Sequence, residues 1–158
     1  MRTISPLTAA VALSGLFWTG SAATAQSLQH LDRLAGILEW QTRNVHRELF
    51  AHYRFVPQFR HLDRDLRQMS RQTNQIRAMI QGRAGVRHMR SEVRELDRLF
   101  HHIEELVNDL PRYRTGDPQA ARRLRSSLRT MENTLHHMQD DLRRLERGDG
   151  DNGWWWGW

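Results

Sequence analysis

Two residue types are missing from this chain of 158 residues, which has no cysteine and no lysine. Without cysteine it can form no disulfide, thiolate metal site, covalent haem attachment or lipidated N-terminal cysteine. All 24 basic residues are therefore arginines, and 18 acids are interspersed with them, for a net charge of +6. Such mixing predicts salt-bridged helix surfaces rather than a single polyanion-binding tail.

Long apolar runs are scarce, and the main one lies at the N-terminus. Arg2 precedes a mostly apolar stretch over residues 4–18, and small residues follow, with Ala23 and Ala25 in an A-x-A pattern. This layout predicts a signal peptide over residues 1–25, because the run is too short and interrupted for a membrane span. The mature chain, residues 26–158, would then be periplasmic or secreted and would contain no transmembrane span.

Apolar residues recur at alternating intervals of three and four positions in four segments, which begin at Leu28, Phe59, Val86 and Ala121. This spacing is typical of a helix that packs in a bundle. It predicts an all-α domain over residues 26–147, with helices at about 27–53, 57–81, 85–110 and 118–147. Since the connections are short, neighbouring helices should run antiparallel in an up-down-up-down four-helix bundle.

The breaks between these segments carry the expected turn residues. Pro57 follows the first segment, Gly82 and Gly85 bracket the second break, and Asp117-Pro118 is typical of an N-cap followed by proline in the first helical turn. Two threonines, Thr42 and Thr73, interrupt the apolar seams. They could hydrogen-bond to each other across the first hairpin or each to its own helix, and either arrangement would set register rather than form a site.

Helical bundles often hold a cofactor in the core, but the necessary ligands are missing here. Haem needs an inward histidine or methionine beside space for the ring. His52 is the only histidine on a seam, at a helix end, and methionines at helical spacing are usually core filling. A di-iron centre needs Glu-x-x-His pairs, which do not occur. No nucleophile–base pair or acid–base dyad stands out either, so we predict no catalytic residue, no cofactor and no enzymatic activity.

The nine histidines need an explanation, because five have an acid four residues later on the same helix face. These pairs are His61–Asp65, His88–Glu92, His101–Glu105, His136–Asp140 and His137–Asp141. They are either solvated surface pairs or sites that capture zinc, copper or nickel. No two histidines are four apart, so no single helix supplies two imidazoles.

The strongest metal candidate in the sequence lies on the fourth helix, where Glu132, His136 and Asp140 are spaced four and four, with His137 and Asp141 alongside. Imidazole and carboxylate together suit zinc, copper or nickel. These five residues are the predicted site if the protein binds a metal, and otherwise they are solvated surface pairs.

Arginines line the outer faces of the second and third helices, as Arg60, Arg64, Arg67 and Arg71 and as Arg87, Arg90, Arg94 and Arg98. Nucleic acid is a poor partner for an exported protein, and no aromatic residues are interleaved for base stacking. An anionic envelope surface or an acidic protein fits better, although acids on the same helices dilute the charge.

The chain ends in GWWWGW after a stretch rich in glycine and aspartate. We predict a flexible tail over residues 148–158. Its tryptophans would take one of three positions: packed back on the bundle, in a membrane interface, or in a pocket of a partner. Indole is favoured in membrane interfaces and is a typical anchor in protein interfaces. The contact residues would be Trp154, Trp155, Trp156 and Trp158.

Two functional hypotheses follow. The first is an exported, non-enzymatic interaction or scaffold protein of the cell envelope that contacts a protein or anionic surface through its arginine-rich faces and tryptophan tail. The alternative is a periplasmic protein that binds divalent copper, zinc or nickel, or responds to metal stress, through surface histidine–carboxylate clusters. The partner's identity stays open, as does assembly into a homo-oligomer.

Overall fold

The computed structural model describes residues 20–110 and 118–147, with side chains from Thr24 and Gln119 onward in the two ranges. Within these ranges the chain forms four helices and no strand. They are α1 (Gly20–Tyr53), α2 (Phe59–Gln81), α3 (Val86–Asn108) and α4 (Pro118–Arg147). The prediction of an all-helical chain with four helices is thus confirmed.

The first helix begins earlier than its predicted start near residue 27. Its first turns, from Gly20, include Ala23 and Ala25 of the predicted cleavage pattern. Residues 1–19, the N-cap candidate Asp117 and the tail over residues 148–158 lie outside the described residues. Cleavage of residues 1–25 therefore stays a prediction. Among the described residues, no helix contains an apolar stretch long enough to cross a bilayer.

Each helix packs against two neighbours, in the cyclic order α1, α2, α3, α4. Cross-helix contacts show the direction of packing. On α1, His30 contacts Asp141 near the end of α4, and Glu48 contacts Arg123 near its beginning. Since the paired positions advance in opposite directions, α1 and α4 are antiparallel, as the short connections predict.

One apolar face of each helix forms the shared core. Its largest fully buried side chains include Phe100, Leu31, Leu62, Met69 and Leu124. Burial of each such side chain stabilises the fold by roughly 1.5–3 kcal/mol. Because every helix contributes to one continuous cluster, the four helices enclose a common interior.

The two threonines that interrupt the apolar seams are satisfied within their own helices. Thr42 donates a hydrogen bond to the Leu38 carbonyl at 2.8 Å, and Thr73 donates to the Met69 carbonyl at 2.9 Å. Each threonine therefore bonds to its own helix, one of the two arrangements expected from the sequence. In α4 the apolar face begins at Ala120, which is fully buried, whereas the predicted Ala121 is only partly buried.

The turn between α2 and α3 has the hydrogen bonds of a Schellman motif. The Arg83 amide donates to the Ile80 carbonyl at 3.1 Å, and the Ala84 amide donates to the Met79 carbonyl at 2.9 Å. This motif places its central residue in the left-handed region, which usually requires glycine. Here that residue is Arg83, with φ of 52°, so the turn carries backbone strain next to Gly82.

Replacing Arg83 with glycine should relieve this strain. We expect Arg83→Gly to raise the free energy of unfolding by about 0.5–1 kcal/mol in urea melts, since glycine adopts positive φ without a steric penalty. The matched control is Ala84→Gly, which should lower the free energy of unfolding. Ala84 does not have positive φ, so glycine at this position would only increase the conformational entropy of the unfolded chain. Equal destabilisation by both changes would show that the turn is not strained at Arg83.

Candidate functional site

Histidine–aspartate contacts join neighbouring helices at three interfaces. His30 Nδ1 lies 2.6 Å from Asp141 Oδ2 between α1 and α4, and His46 Nε2 lies 2.6 Å from Asp63 Oδ1 between α1 and α2. The third contact, between α2 and α3, differs because one carboxylate meets two imidazoles.

This third cluster consists of His61, Asp65 and His102 and is called here the α2–α3 cluster. His61 and Asp65 are one turn apart on α2, and His102 comes from α3. The Nε2 atoms of His61 and His102 are 3.2 Å apart. Asp65 Oδ2 lies 3.4 Å from His61 Nε2 and 3.7 Å from His102 Nε2. Within residues 20–110 and 118–147, this is the group of three side chains whose ligand atoms converge within 4.8 Å.

Asp65 is buried, and one of its oxygens has no hydrogen bond. Its side chain is 7% exposed, and its Oδ2 atom accepts no hydrogen bond from any described residue. A buried acceptor left without a donor costs about 1–3 kcal/mol, and more when it is charged. The two imidazoles approach this oxygen without bonding to it, so the position between them suits a cation.

The spacing of the three atoms matches that of ligands around zinc. Tetrahedral zinc holds nitrogen and oxygen ligands at about 2.0–2.1 Å, which places neighbouring ligand atoms about 3.3–3.4 Å apart. The observed separations of 3.2, 3.4 and 3.7 Å bracket that value. The two rings meet edge to face rather than stacking, with centroids 5.0 Å apart.

The cluster has a closed side and an open side. Asp65 forms the inner side, while the side chains of His61 and His102 are 49% and 43% exposed. A cation could therefore enter from solvent without any helix separating.

The metal site predicted on α4 does not form one group in the structure. Asp141 points inward, where it contacts His30 of α1, and Asp140 pairs with Arg143. The hydrogen bond from Arg143 is the main reason that the pKa of Asp140 lies below its usual value. His136 and His137 are exposed and Glu132 is partly exposed. Metal binding by these five residues stays a prediction.

Sequence reasoning paired His61 with Asp65 but missed His102. The sequence does contain a pattern that could have indicated His102. Asp65 and His102 are equally distant along the chain from the Arg83–Ala84 bond, which is the centre of the turn between α2 and α3. In an antiparallel hairpin of two helices, such positions lie opposite each other. The four predicted tryptophan contacts, Trp154, Trp155, Trp156 and Trp158, lie outside the described residues.

Comparison of the chain with protein-family models, with curated proteins and with solved structures finds no match. The function must therefore be inferred from the side chains themselves.

The pKa of Asp63, which contacts His46 between α1 and α2, is set by the opposing effects of burial and of neighbouring groups. Partial burial alone raises the pKa of Asp63, but the hydrogen bonds that it accepts from His46 and Arg67, together with the charges of these residues, outweigh burial and lower the pKa below its usual value. The Arg67 Nε atom lies 3.1 Å from Asp63 Oδ2. Asp63 therefore ties α2 to α1 through its ionised form.

Because folding lowers the pKa of Asp63, its contribution to stability should be complete above the unfolded-state pKa of about 3.9. It should be lost as the pH falls through the folded-state pKa. We expect Asp63→Asn to lower the free energy of unfolding by up to about 1 kcal/mol at pH 7, and the difference should shrink at acid pH. Urea melts from pH 7 into the acid range measure this.

The matched control for that series is Glu105→Gln, which changes an exposed acid on α3. It should leave the pH dependence of unfolding close to that of the parent. A constant difference between parent and Asp63→Asn at all pH values would contradict the electrostatic explanation.

Proposed function

We propose that this protein binds a divalent metal ion, zinc foremost, at the α2–α3 cluster. One observation carries the proposal: the buried Asp65 Oδ2 atom accepts no hydrogen bond and faces the Nε2 atoms of His61 and His102 at 3.4 and 3.7 Å. Zinc would supply the positive charge that this oxygen lacks, and imidazole nitrogen and carboxylate oxygen are both ligands that zinc prefers.

The chemistry of the donors narrows the choice of metal. Two imidazoles and one carboxylate suit zinc, copper(II) and nickel, whereas calcium and magnesium prefer sites made wholly of oxygen. Tetrahedral spacing favours zinc over copper(II), which prefers a square arrangement. Both histidines would bind through an unprotonated Nε2, with the ring proton on Nδ1.

Metal binding would connect two helices. His61 and Asp65 belong to α2 and His102 belongs to α3, so an ion held by all three would link these helices far from their turn. Since the unfolded chain does not hold the three donors together, the free energy of metal binding would also stabilise the fold.

This proposal develops the metal-binding alternative drawn from the sequence, with different residues. Three of the eight arginines that suggested an anionic partner are engaged with acids. Arg67 contacts Asp63, Arg90 contacts Glu146 and Arg98 contacts Glu95. Such pairing weakens the positive surface that the interaction hypothesis requires. We keep the proposed location outside the cytoplasm, on the basis of the pattern in residues 1–25.

Calorimetric titration of zinc into the purified protein should show one site with a dissociation constant on the order of 1 µM, or about −8 kcal/mol. His102→Ala should weaken binding at least about tenfold to a hundredfold, since loss of even an outer-shell partner costs that much. The matched control is His101→Ala, because the neighbouring His101 contacts Asp97 and Glu104 instead.

The doubly substituted His136→Ala, His137→Ala variant separates the two candidate sites. It should bind zinc as the parent does if the α2–α3 cluster is the site. If this variant loses binding while His102→Ala retains it, the metal site lies on α4 and the proposal is wrong.

Zinc should also raise the melting temperature of the parent. At a free concentration one hundred times the dissociation constant, the stabilisation is about 2.7 kcal/mol, which corresponds to roughly 5–10 °C for a chain of this size. A chelator should reverse the increase, and Asp65→Asn should abolish it. Circular dichroism melts with and without zinc provide the measurement, and an unchanged zinc response in Asp65→Asn would count against the cluster.

A further inference from the structure

The α2–α3 cluster supplies three ligand atoms where zinc takes four. Structural zinc sites are closed by four protein ligands, whereas sites that handle exchangeable molecules keep the fourth position free. Among the described residues, no fourth histidine, aspartate or glutamate joins the three within 4.8 Å. The side chains present thus define an incomplete shell.

The exposure of the ligands shows which side of the shell is incomplete. Asp65 is buried against the bundle, while about half of each histidine side chain is exposed. A metal held by these three atoms would have protein on its inner side, and its remaining position would face solvent. Any fourth ligand would arrive from outside without disturbing the core.

The charge of the loaded site favours one class of ligand. A divalent ion bound to two neutral imidazoles and one carboxylate keeps a net charge of +1. A small monodentate anion would neutralise that charge, whereas a second cation would be repelled.

From these observations we infer that the metal-loaded α2–α3 cluster binds a small monodentate anion at an exchangeable fourth position. This inference rests on the proposed function, because it requires the metal to be bound first. It extends that function from metal binding to a site that can take up a small anionic ligand or activate a bound water, as open zinc sites do.

Cobalt(II) is the suitable probe, since it replaces zinc in tetrahedral sites and has visible d–d absorption that reports the ligand set. The full-length protein loaded with cobalt should show intense tetrahedral bands. Titration with sodium azide should then shift these bands along a saturable curve. His101→Ala should respond like the parent, and His61→Ala should lack the bands while retaining its helical circular dichroism spectrum.

The outcomes separate the two proposals. If cobalt gives no tetrahedral bands in the parent, the proposed metal site itself fails. If the bands appear but azide does not change them, the metal is bound with a filled shell, and the open position is refuted. Sedimentation of the loaded protein tests whether a second copy fills the shell. A metal-dependent dimer whose cobalt bands do not change with azide would overturn the inference. A monomer whose cobalt bands shift with azide would support it.

Discussion

Burial of one apolar stripe on each helix is the constraint on which this molecule depends. The four stripes meet in one continuous core, and the buried threonines find hydrogen-bond partners within their own helices. Thr42, Thr73 and Thr134 each donate to a carbonyl four residues earlier. This local satisfaction lets the helices pack closely without polar contacts through the centre, so charged groups are left for the edges between helices.

Histidine–aspartate contacts at the edges between helices link the helices and also supply the candidate metal site. His30–Asp141 and His46–Asp63 are direct hydrogen-bonded pairs at 2.6 Å, and each satisfies its carboxylate. Asp65 is buried like Asp141, but two imidazoles approach it without a hydrogen bond to its Oδ2 atom. Histidine and aspartate thus form a structural link at two interfaces and a candidate metal site at the third, where two imidazoles meet one carboxylate.

The turn between α2 and α3 connects the fold to that site. Its Schellman motif ends α2 at Gln81 and starts α3 at Val86, and thereby sets which residues of the two helices lie opposite each other. A turn one residue longer would rotate α3 by about 100° relative to its present register. His102 would then leave Asp65. Arg83, with φ of 52°, therefore carries its backbone strain in the turn that aligns His61 and Asp65 with His102.

The sequence alone determined the helices, because a three-four apolar repeat forms one continuous apolar stripe when the chain is helical. It also determined that His61 and Asp65 share a helix face, since residues four apart are neighbours on any α-helix. Only the tertiary structure brought His102 to them and turned Asp141 away from His137 toward His30. Contacts between helices depend on register and on side-chain orientation, which the packing of the whole core sets and no local spacing encodes.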